Sequence, residues 1–555
     1  MLISRFLLLF HTARYLRVRQ VFFRLYYWVF RLRVSDHQDV SVRYRWAWSG
    51  PVWRSLSTQD GIEFSFLGVK GCIPTENYSL SSSSRPSKLW LYNFHYLDDL
   101  NSIGIDGRKS LANTLVNRWV DANPPPYGDG WEPYPLSLRI VNLVKWLSRQ
   151  ETLEKQWLPS LATQLRALTK QIEYHILGNH LFANGKALVF GGAYLQGAEA
   201  DGWLDLGLKI LDREIMEQFL EDGAHFELSP MYHAILLWDM CDLVNLAEQL
   251  DIPLLKMRLP QWRDVVRRGL SWLRSMSHPD GDIAFFNDAA FGIAPRLSHL
   301  EAYAGCLTDC LPHARLKESG FVASYHPQSK YASVALGAGN KALLDLAKIG
   351  PDYQPGHAHA DTLSFELSLF GQRVFVNSGT SQYGDDAERH RQRSTCAHNT
   401  VEVDGESSSE IWSGFRVARR AYPILELFDN KPDMTLIRAS HTGYLRLKGR
   451  VRHRREWLFE PGRIRLLDHV EGKHTKAVAR LYIHPSIRFI EDQGCFTARV
   501  GDQGRVVVEL QGGESSRLIV TSWHPEFGRV IENQCIEAIF RNGDLITNIY
   551  WSASV

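Results

Sequence analysis

The sequence predicts an α+β, multidomain chain whose two halves follow one another: a helical half, then an antiparallel β half. Three observations carry this. Apolar residues recur at intervals of three and four from about Lys88 to Leu311, the spacing of one helix face. From about Ser324 the pattern gives way to short runs rich in β-branched and aromatic residues. Gly, Asp and Asn separate those runs and no helical pattern lies between them, which favours an antiparallel sandwich. At 555 residues with 45% hydrophobic content, the chain is long enough for about two to four domains. The expected division is 1–87, a basic arm and lead-in; 88–320, the helical domain; and 321–555, the β domain.

Met1 to Ser35 holds no acid and seven arginines: Arg5, Arg14, Arg17, Arg19, Arg24, Arg31 and Arg33. Between them lie Val21-Phe22-Phe23 and Leu25 to Phe30. No apolar run approaches the ~20 residues that span a bilayer, and Leu7 to Phe10 is short for a signal core with no small-residue cleavage site after it. Two readings stand for residues 1–33: a basic aromatic helix on an anionic membrane surface, or an arm packed on the protein's own body. Without an export signal, cytoplasmic residence is the default and the periplasm is left open. Ser79 to Ser87, which contains the run Ser81 to Ser84, reads as a loop. Leu136, Ile140, Leu143, Val144 and Leu147 mark a helix after the Pro-rich Asn123 to Tyr127. Leu161, Leu165, Leu168, Ile172 and Ile176 mark another, and Ile235 to Leu250 a third, among roughly ten candidates. Strands are expected over Tyr331–Gly337, Thr362–Phe370, Arg373–Asn377, Thr400–Val403 and Val506–Leu510. Arg455–Glu460, Pro461-Gly462 and Arg463–His469 form a hairpin. The boundary falls near 312–325.

The 63 basic and 61 acidic residues nearly cancel, so there is no global attraction to nucleic acid. Seven scattered cysteines without a C-x-x-C argue against a zinc finger or disulfide framework. No phosphate loop, dinucleotide fingerprint or G-x-S-x-G elbow occurs. Four clusters remain: Gly178-Asn179-His180-Leu181; Asp222 to His233, which includes Glu227, Tyr232 and His233; Gly356-His357-Ala358-His359-Ala360-Asp361; and Ala397-His398-Asn399-Thr400. On an extended segment His357 and His359 point to one face, as a metal or catalytic pair would. A glycosidase needs two carboxylates at a set separation, and Glu227, Asp222, Asp282 and Asp288 could supply a pair. Asn, His and Tyr dominate the clusters, however, and favour removal of a carbon-bound proton.

In order, Tyr15-Leu16 to Tyr27, Tyr92-Asn93-Phe94-His95-Tyr96, Trp131-Glu132-Pro133-Tyr134 to Arg139-Ile140, Gly178 to Leu181, Ser229 to His233 and Gly356 to Asp361 resemble the heparinase II/III-like proteins, relatives of heparin and alginate lyases. The resemblance covers most of the chain. It implies an incomplete (α/α) toroid followed by an antiparallel β-sandwich, with the cleft between them, and β-elimination at a uronic acid of an acidic polysaccharide. It also implies roles: Asn179, helped by His180, masks the substrate carboxylate; Tyr232 is base, acid or both; His357 is its partner from the β domain. A metal next to this site is implied at His359, His398 and the position held here by Asn377. Asn is neutral and a weaker ligand than the carboxylate usual there, so one Zn2+ stands against a hydrogen-bonded cluster that merely holds His357. Trp131, Tyr134 and Trp412 are candidates to stack on sugars. Arg139, Arg416 and Arg419 are candidates to pair with carboxylate or sulfate. Glu227 and His233 complete the substrate-binding set. Two further functions remain open: a hydrolase using Glu227 with another acid, and a non-catalytic glycan-binding factor in surface-polysaccharide synthesis. Oligomeric state is not legible.

Overall fold

The structure, a computed structural model, describes residues 2–553 apart from 31, 36–38, 74–85, 313–320, 338, 503 and 542. The Ser79 to Ser84 part of the expected loop, and much of the expected boundary at 312–325, lie outside the described residues. The helices are α1 Leu2–Ala13, α2 Val18–Val29, α3 Lys88–Tyr96, α4 Lys109–Ala122, α5 Pro133–Leu147, α6 Trp157–Thr169, α7 Gly178–Tyr194, α8 Ala198–Gln218, α9 Pro230–Gln249, α10 Pro253–Lys256, α11 Leu259–Met276, α12 Leu297–Gly305 and α13 Ala387–Arg393.

Helices α3 to α12 wrap one core. Leu136, Ile140, Val144, Leu161, Leu165 and Leu188 are fully buried there, at the three- and four-residue spacing the sequence displays. The second expected helix is shorter than its apolar repeat. It ends at Thr169, and Ile172 and Ile176 fall in the connection to α7. That connection is fixed at Gly178, whose φ is +56°. That left-handed φ favours glycine; a Cβ there would also stand 2.2 Å from Oε1 of Gln354, the end of a flexible side chain that would have to shift. The apolar pattern runs on because Ile172 is still buried in the core, while Ile176 is only half-buried, not because the helix continues.

Among the described residues the β half builds four antiparallel sheets, the smallest pairing Ile411–Trp412 with Arg416–Val417, and together they give the expected sandwich. A five-stranded meander runs from Phe321–His326 to Gln372–Phe375, an eight-stranded sheet holds the predicted hairpin, and a four-stranded sheet includes Val401–Val403. The hairpin pairs Arg452–Glu460 with Arg463–Glu471 across Pro461-Gly462. Its inward positions His453, Arg455, Trp457 and Phe459 alternate with more exposed ones. Val334, Phe365 and Leu367 of the meander share one core with Trp457, Phe459, Ile464 and Val506 of the large sheet, so two sheets lie face to face.

The halves are tied together at the cleft. The segment between α11 and α12 reaches the strands: Asp288 N donates to His357 O at 2.9 Å, and Phe291 N donates to Pro525 O at 2.6 Å. His278 donates from Nε2 to Glu366 at 2.8 Å, and Tyr331 donates its hydroxyl proton to Leu228 O at 2.7 Å.

Candidate active site

Three helix starts carry the first set of groups. Ser229 caps α9 by accepting from Tyr232 N at 3.2 Å, with Pro230 as the first helical residue, and this fixes Tyr232 in the first turn. In α7, Asn179 and His180 follow Gly178 directly. In α5, Tyr134 follows Pro133. From the β half, His357 enters on a turn at Gly356-His357, not the extended segment the sequence suggested, ahead of strand Phe365–Leu369.

These groups meet. The Tyr232 and His357 rings are stacked with centroids 3.8 Å apart. The His357 Nδ1–H donates to Asp288 Oδ2 at 3.0 Å, which puts the neutral ring's lone pair on Nε2, 3.5 Å from Glu227 Oε2. Asn179 Nδ2 stands 3.4 Å from that Nε2. The same Nδ2 donates to both Glu227 oxygens at 3.0 and 3.2 Å, and the Asn179 backbone N–H donates to Glu227 Oε1 at 3.1 Å. The amide expected to mask a substrate carboxylate is therefore held by a buried carboxylate of the protein.

His180 is placed differently. Its Nδ1–H donates to Glu173 Oε1 at 2.8 Å, and its ring lies against Tyr134 with centroids 4.3 Å apart. Burial alone would lower its pKa, but the Glu173 carboxylate holds it above the usual histidine value. Among the described residues its Nε2 has no protein partner, and 27% of the side chain is exposed. Burial pushes the Tyr232 phenol well above the ordinary tyrosine range, so it stays protonated at neutral pH. Its hydroxyl lies 3.1 Å from that of Tyr383.

Asp288 is the hub behind these groups. Arg389 grips both of its oxygens, His357 and His359 each donate to it, and all of it is buried. Burial would raise its pKa, but the Arg389 guanidinium and the two imidazoles hold the carboxyl well below its usual value. Reading the sequence treated Asp288 only as one of several acids and did not single out Tyr383, Arg389 or Glu173. Asn287-Asp288 after the apolar Phe285-Phe286 was the one local pointer, and nothing in the stretch around Tyr383 or Arg389 marks either as part of the site.

The expected metal set forms a hydrogen-bonded chain. His398 Nε2–H donates to His359 Nδ1 at 3.3 Å, and His359 Nε2–H donates to Asp288 Oδ1 at 2.8 Å. Burial pushes His359 down to about 4 and His398 well below its usual value, so both rings are neutral. Asn377 accepts from Asn399 N at 3.0 Å and donates to Ser364 Oγ at 3.4 Å. Both its amide atoms are engaged. Among the described residues no group of three His, Cys, Asp or Glu converges as a metal site. In the same cluster His398 Nδ1 is buried without a hydrogen-bond partner among the described residues.

Several expected substrate contacts lie elsewhere. Arg139 is fully buried on Trp119, donating to Gln164, His95 O and Gly130 O; its apolar surroundings make it a strut. Trp131 is buried beside Trp119 and donates to Asn123 O. His233 accepts from His225 N at 3.1 Å and donates to Gly269 O at 3.0 Å, so both ring nitrogens are taken within the helical core. Trp412 donates to Thr12 Oγ1 beneath α1, with Arg416 stacked over it at 4.8 Å. Arg419 is paired with Glu410. Of the carboxylates considered for hydrolysis, Asp222 binds the Ser329 backbone and hydroxyl and Asp282 pairs with Arg296, both away from the stacked pair. Tyr134, with Tyr232 and Tyr383, lines the cleft.

Two family models match: Heparinase II/III N-terminus over residues 114–306 and Heparinase II/III-like, C-terminal over residues 320–552. Among curated proteins, a heparin-sulfate lyase of Bacteroides stercoris is 27% identical over 270 residues, which is 43% of this chain and 38% of that protein. One from Pedobacter heparinus is 26% identical over 249 residues, covering 41% and 36%. The matched region thus spans well under half of each of these two relatives. A crystal structure of heparinase III overlays with a TM-score of 0.69 at 16% identity, covering 87% of this chain and 80% of that one. A heparan sulfate lyase from Pedobacter heparinus overlays with a TM-score of 0.57 at 16% identity, covering 85% and 78%. The fold is an incomplete (α/α) toroid followed by an antiparallel β-sandwich.

Proposed function

The chain belongs to the heparinase II/III-like family, and from that premise we propose that it is a polysaccharide lyase that cleaves a uronic-acid-containing glycan by β-elimination. The observation that carries the reading is the stacked Tyr232–His357 pair, with Nδ1 of His357 locked on Asp288 and Nε2 turned toward Asn179 and Glu227. In this reading Nε2 takes the C5 proton. The electron pair of the broken C5–H bond forms the C4–C5 double bond, and the C4–O4 bond breaks. Tyr232 gives its proton to O4, a role suited to a phenol that burial keeps protonated. His180, whose charged form the Glu173 carboxylate favours and whose Nε2 is open, pairs with the substrate carboxylate and offsets charge as it builds on the enolate. Asn179 and Glu227 hold one another and set the angle of His357; they are positioning residues. The curated relatives are heparin-sulfate lyases, which favours a glycosaminoglycan or a similarly acidic polymer.

The hydrolase alternative loses support from the same geometry. Asp288 is sequestered by Arg389 and Glu227 by Asn179, so neither is a free carboxylate facing the other across the cleft. The test is a panel of acidic polysaccharides followed by ultraviolet absorbance of the unsaturated product. New reducing ends without that absorbance would mean hydrolysis. Affinity without either product would mean a binding protein.

A further inference from the structure

Tyr232, with Tyr134 and Tyr383, lines a cavity walled mainly by the helical half. Tyr134, Asn179 and Tyr232 all lie in the first turns of α5, α7 and α9, so these helices point their C-terminal ends away from the chemistry. One extended stretch of the lead-in meets those ends in turn. Ser41 O accepts from Gln196 N and Arg43 N donates to Tyr194 O, both at 2.9 Å, just past and at the end of α7. Trp48 N donates to Ser148 Oγ at the end of α5, and Gln249 Nε2 donates to Ser49 Oγ at the end of α9. The Trp48 indole then lies on Phe190 and under the Lys145 ammonium.

Tyr232, Trp238, Lys145, Lys186, Asp242 and Trp48 line this one cavity. Ten residues of α9 separate Tyr232 from Asp242, about 15 Å at 1.5 Å per residue. The far end is charged. Lys145 donates to Asp242, and Lys186 donates to Asp239 and Asp242. Each ammonium has three donors, so both lysines retain an N–H although each residue is over nine-tenths buried.

We propose that this cavity is a blind subsite for a chain end, so that the protein acts exolytically. The terminal sugar of an acidic glycan sits against Lys145 and Lys186, the edge-to-face pair Trp53 and Trp238 forms one wall beside the chain, and cleavage occurs at Tyr232 and His357. A polymer passing through is excluded because the stretch from Ser41 to Arg54 shuts the far end. The inference rests on the lyase reading for its chemistry, but its geometry is testable apart from it. The inactive Tyr232→Phe protein is titrated with an acidic polysaccharide fractionated to several lengths. End recognition gives at most one protein per competent end at every length. A stoichiometry that grows with chain length overturns the proposal whether or not the enzyme is a lyase. With the active protein, one short unsaturated product is expected from the earliest time. At equal mass, chains cut tenfold shorter react about tenfold faster, since the subsaturating rate follows kcat/KM times the concentration of ends. A broad ladder of unsaturated products would leave the lyase reading standing and remove only this one. Lys186→Met is expected to raise KM for chains more than it lowers kcat.

A second, independent observation concerns α1 and α2. Gln20, Phe23 and Tyr27 turn α2 inward: Tyr27 donates to Ile172 O and Phe23 meets Tyr174. The opposite stripe of α2 includes Phe22, Leu25 and Trp28, exposed by 59%, 62% and 86%, and Phe6 and Phe10 extend the apolar surface on α1. Exposed Arg5, Arg14 and Arg24 flank it, with no acid between residues 1 and 35. No helix among the described residues is long and apolar enough to cross a membrane. We infer that this pair lies on an anionic lipid surface, its aromatics in the acyl boundary and its arginines among the headgroups. Sedimentation with phosphatidylserine-containing vesicles, but not with pure phosphatidylcholine, is the expected result. Serine at Phe22, Leu25 and Trp28 together should abolish it. Equal binding to both vesicles, no binding, or loss of a dimer in the triple variant without any lipid effect would overturn it.

Discussion

Replacing Tyr232 by Phe removes a single oxygen. Among the described residues that hydroxyl meets only the Tyr383 hydroxyl, at 3.1 Å, while the ring stacks on His357 at 3.8 Å. The ring and its stacking survive the change, and the lost hydrogen bond costs about 1 kcal/mol of stability. The chemical loss is far larger. A positioned general acid contributes about 10²–10⁴-fold, so kcat should fall by that factor, equivalent to about 2.7–5.4 kcal/mol of barrier. The assay is the initial rate of unsaturated-product absorbance on whichever acidic polysaccharide the wild type cleaves, with a thermal melt on the same preparation. A variant that melts like the wild type and turns over at a comparable rate would refute the assignment of Tyr232 as the acid.

Three further outcomes follow from the same site. Asp288→Asn leaves Arg389 buried without its counter-charge and should destabilise by about 3–5 kcal/mol; adding Arg389→Met should recover much of that, and an unchanged denaturation midpoint in the single variant would show the hub to be dispensable. His180→Gln removes a charged partner for the substrate carboxylate and should lower kcat/KM about 10–150-fold, the range of a charge-assisted hydrogen bond of about 1.5–3 kcal/mol; equal kinetics would place carboxylate recognition elsewhere. The Asp288 carboxyl is held below its ordinary value of 3.8, so its contribution to stability is complete above that value and is lost as pH falls through its lower folded value; acid titration of Asp288→Asn should lack the steepest part of the wild-type loss, and superimposable curves would contradict it.

Much of the fold was readable because burial writes a period into the sequence. Leu136 to Leu147 and Arg455 to His469 display helical and strand spacing and fold accordingly. Ile172 and Ile176 misled because a buried connection can keep apolar residues in step without being helical. The groups gathered around Tyr232 stood out since Asn179, His180 and His357 lie in short polar motifs inside apolar surroundings. Trp131, Arg139 and His233 looked alike on the page. Whether such a side chain faces a cleft or a core depends on which partners the tertiary structure brings to it, as Gln164, Trp119 and Gly269 do here. Asp288 and Arg389 are 101 residues apart, and no local pattern links them. Trp412 was invisible as a prop for α1 because Thr12 is 400 residues away.

The bond from Asp288 N to His357 O has a mechanical meaning. It joins the main chains of the toroid and the sandwich beside the very side chains that would share the proton traffic. A rocking motion between the halves would have to snap that link and pull the imidazole off its carboxylate in one movement. Because the imidazole and its carboxylate come from different halves, neither half produced alone should retain any trace of turnover.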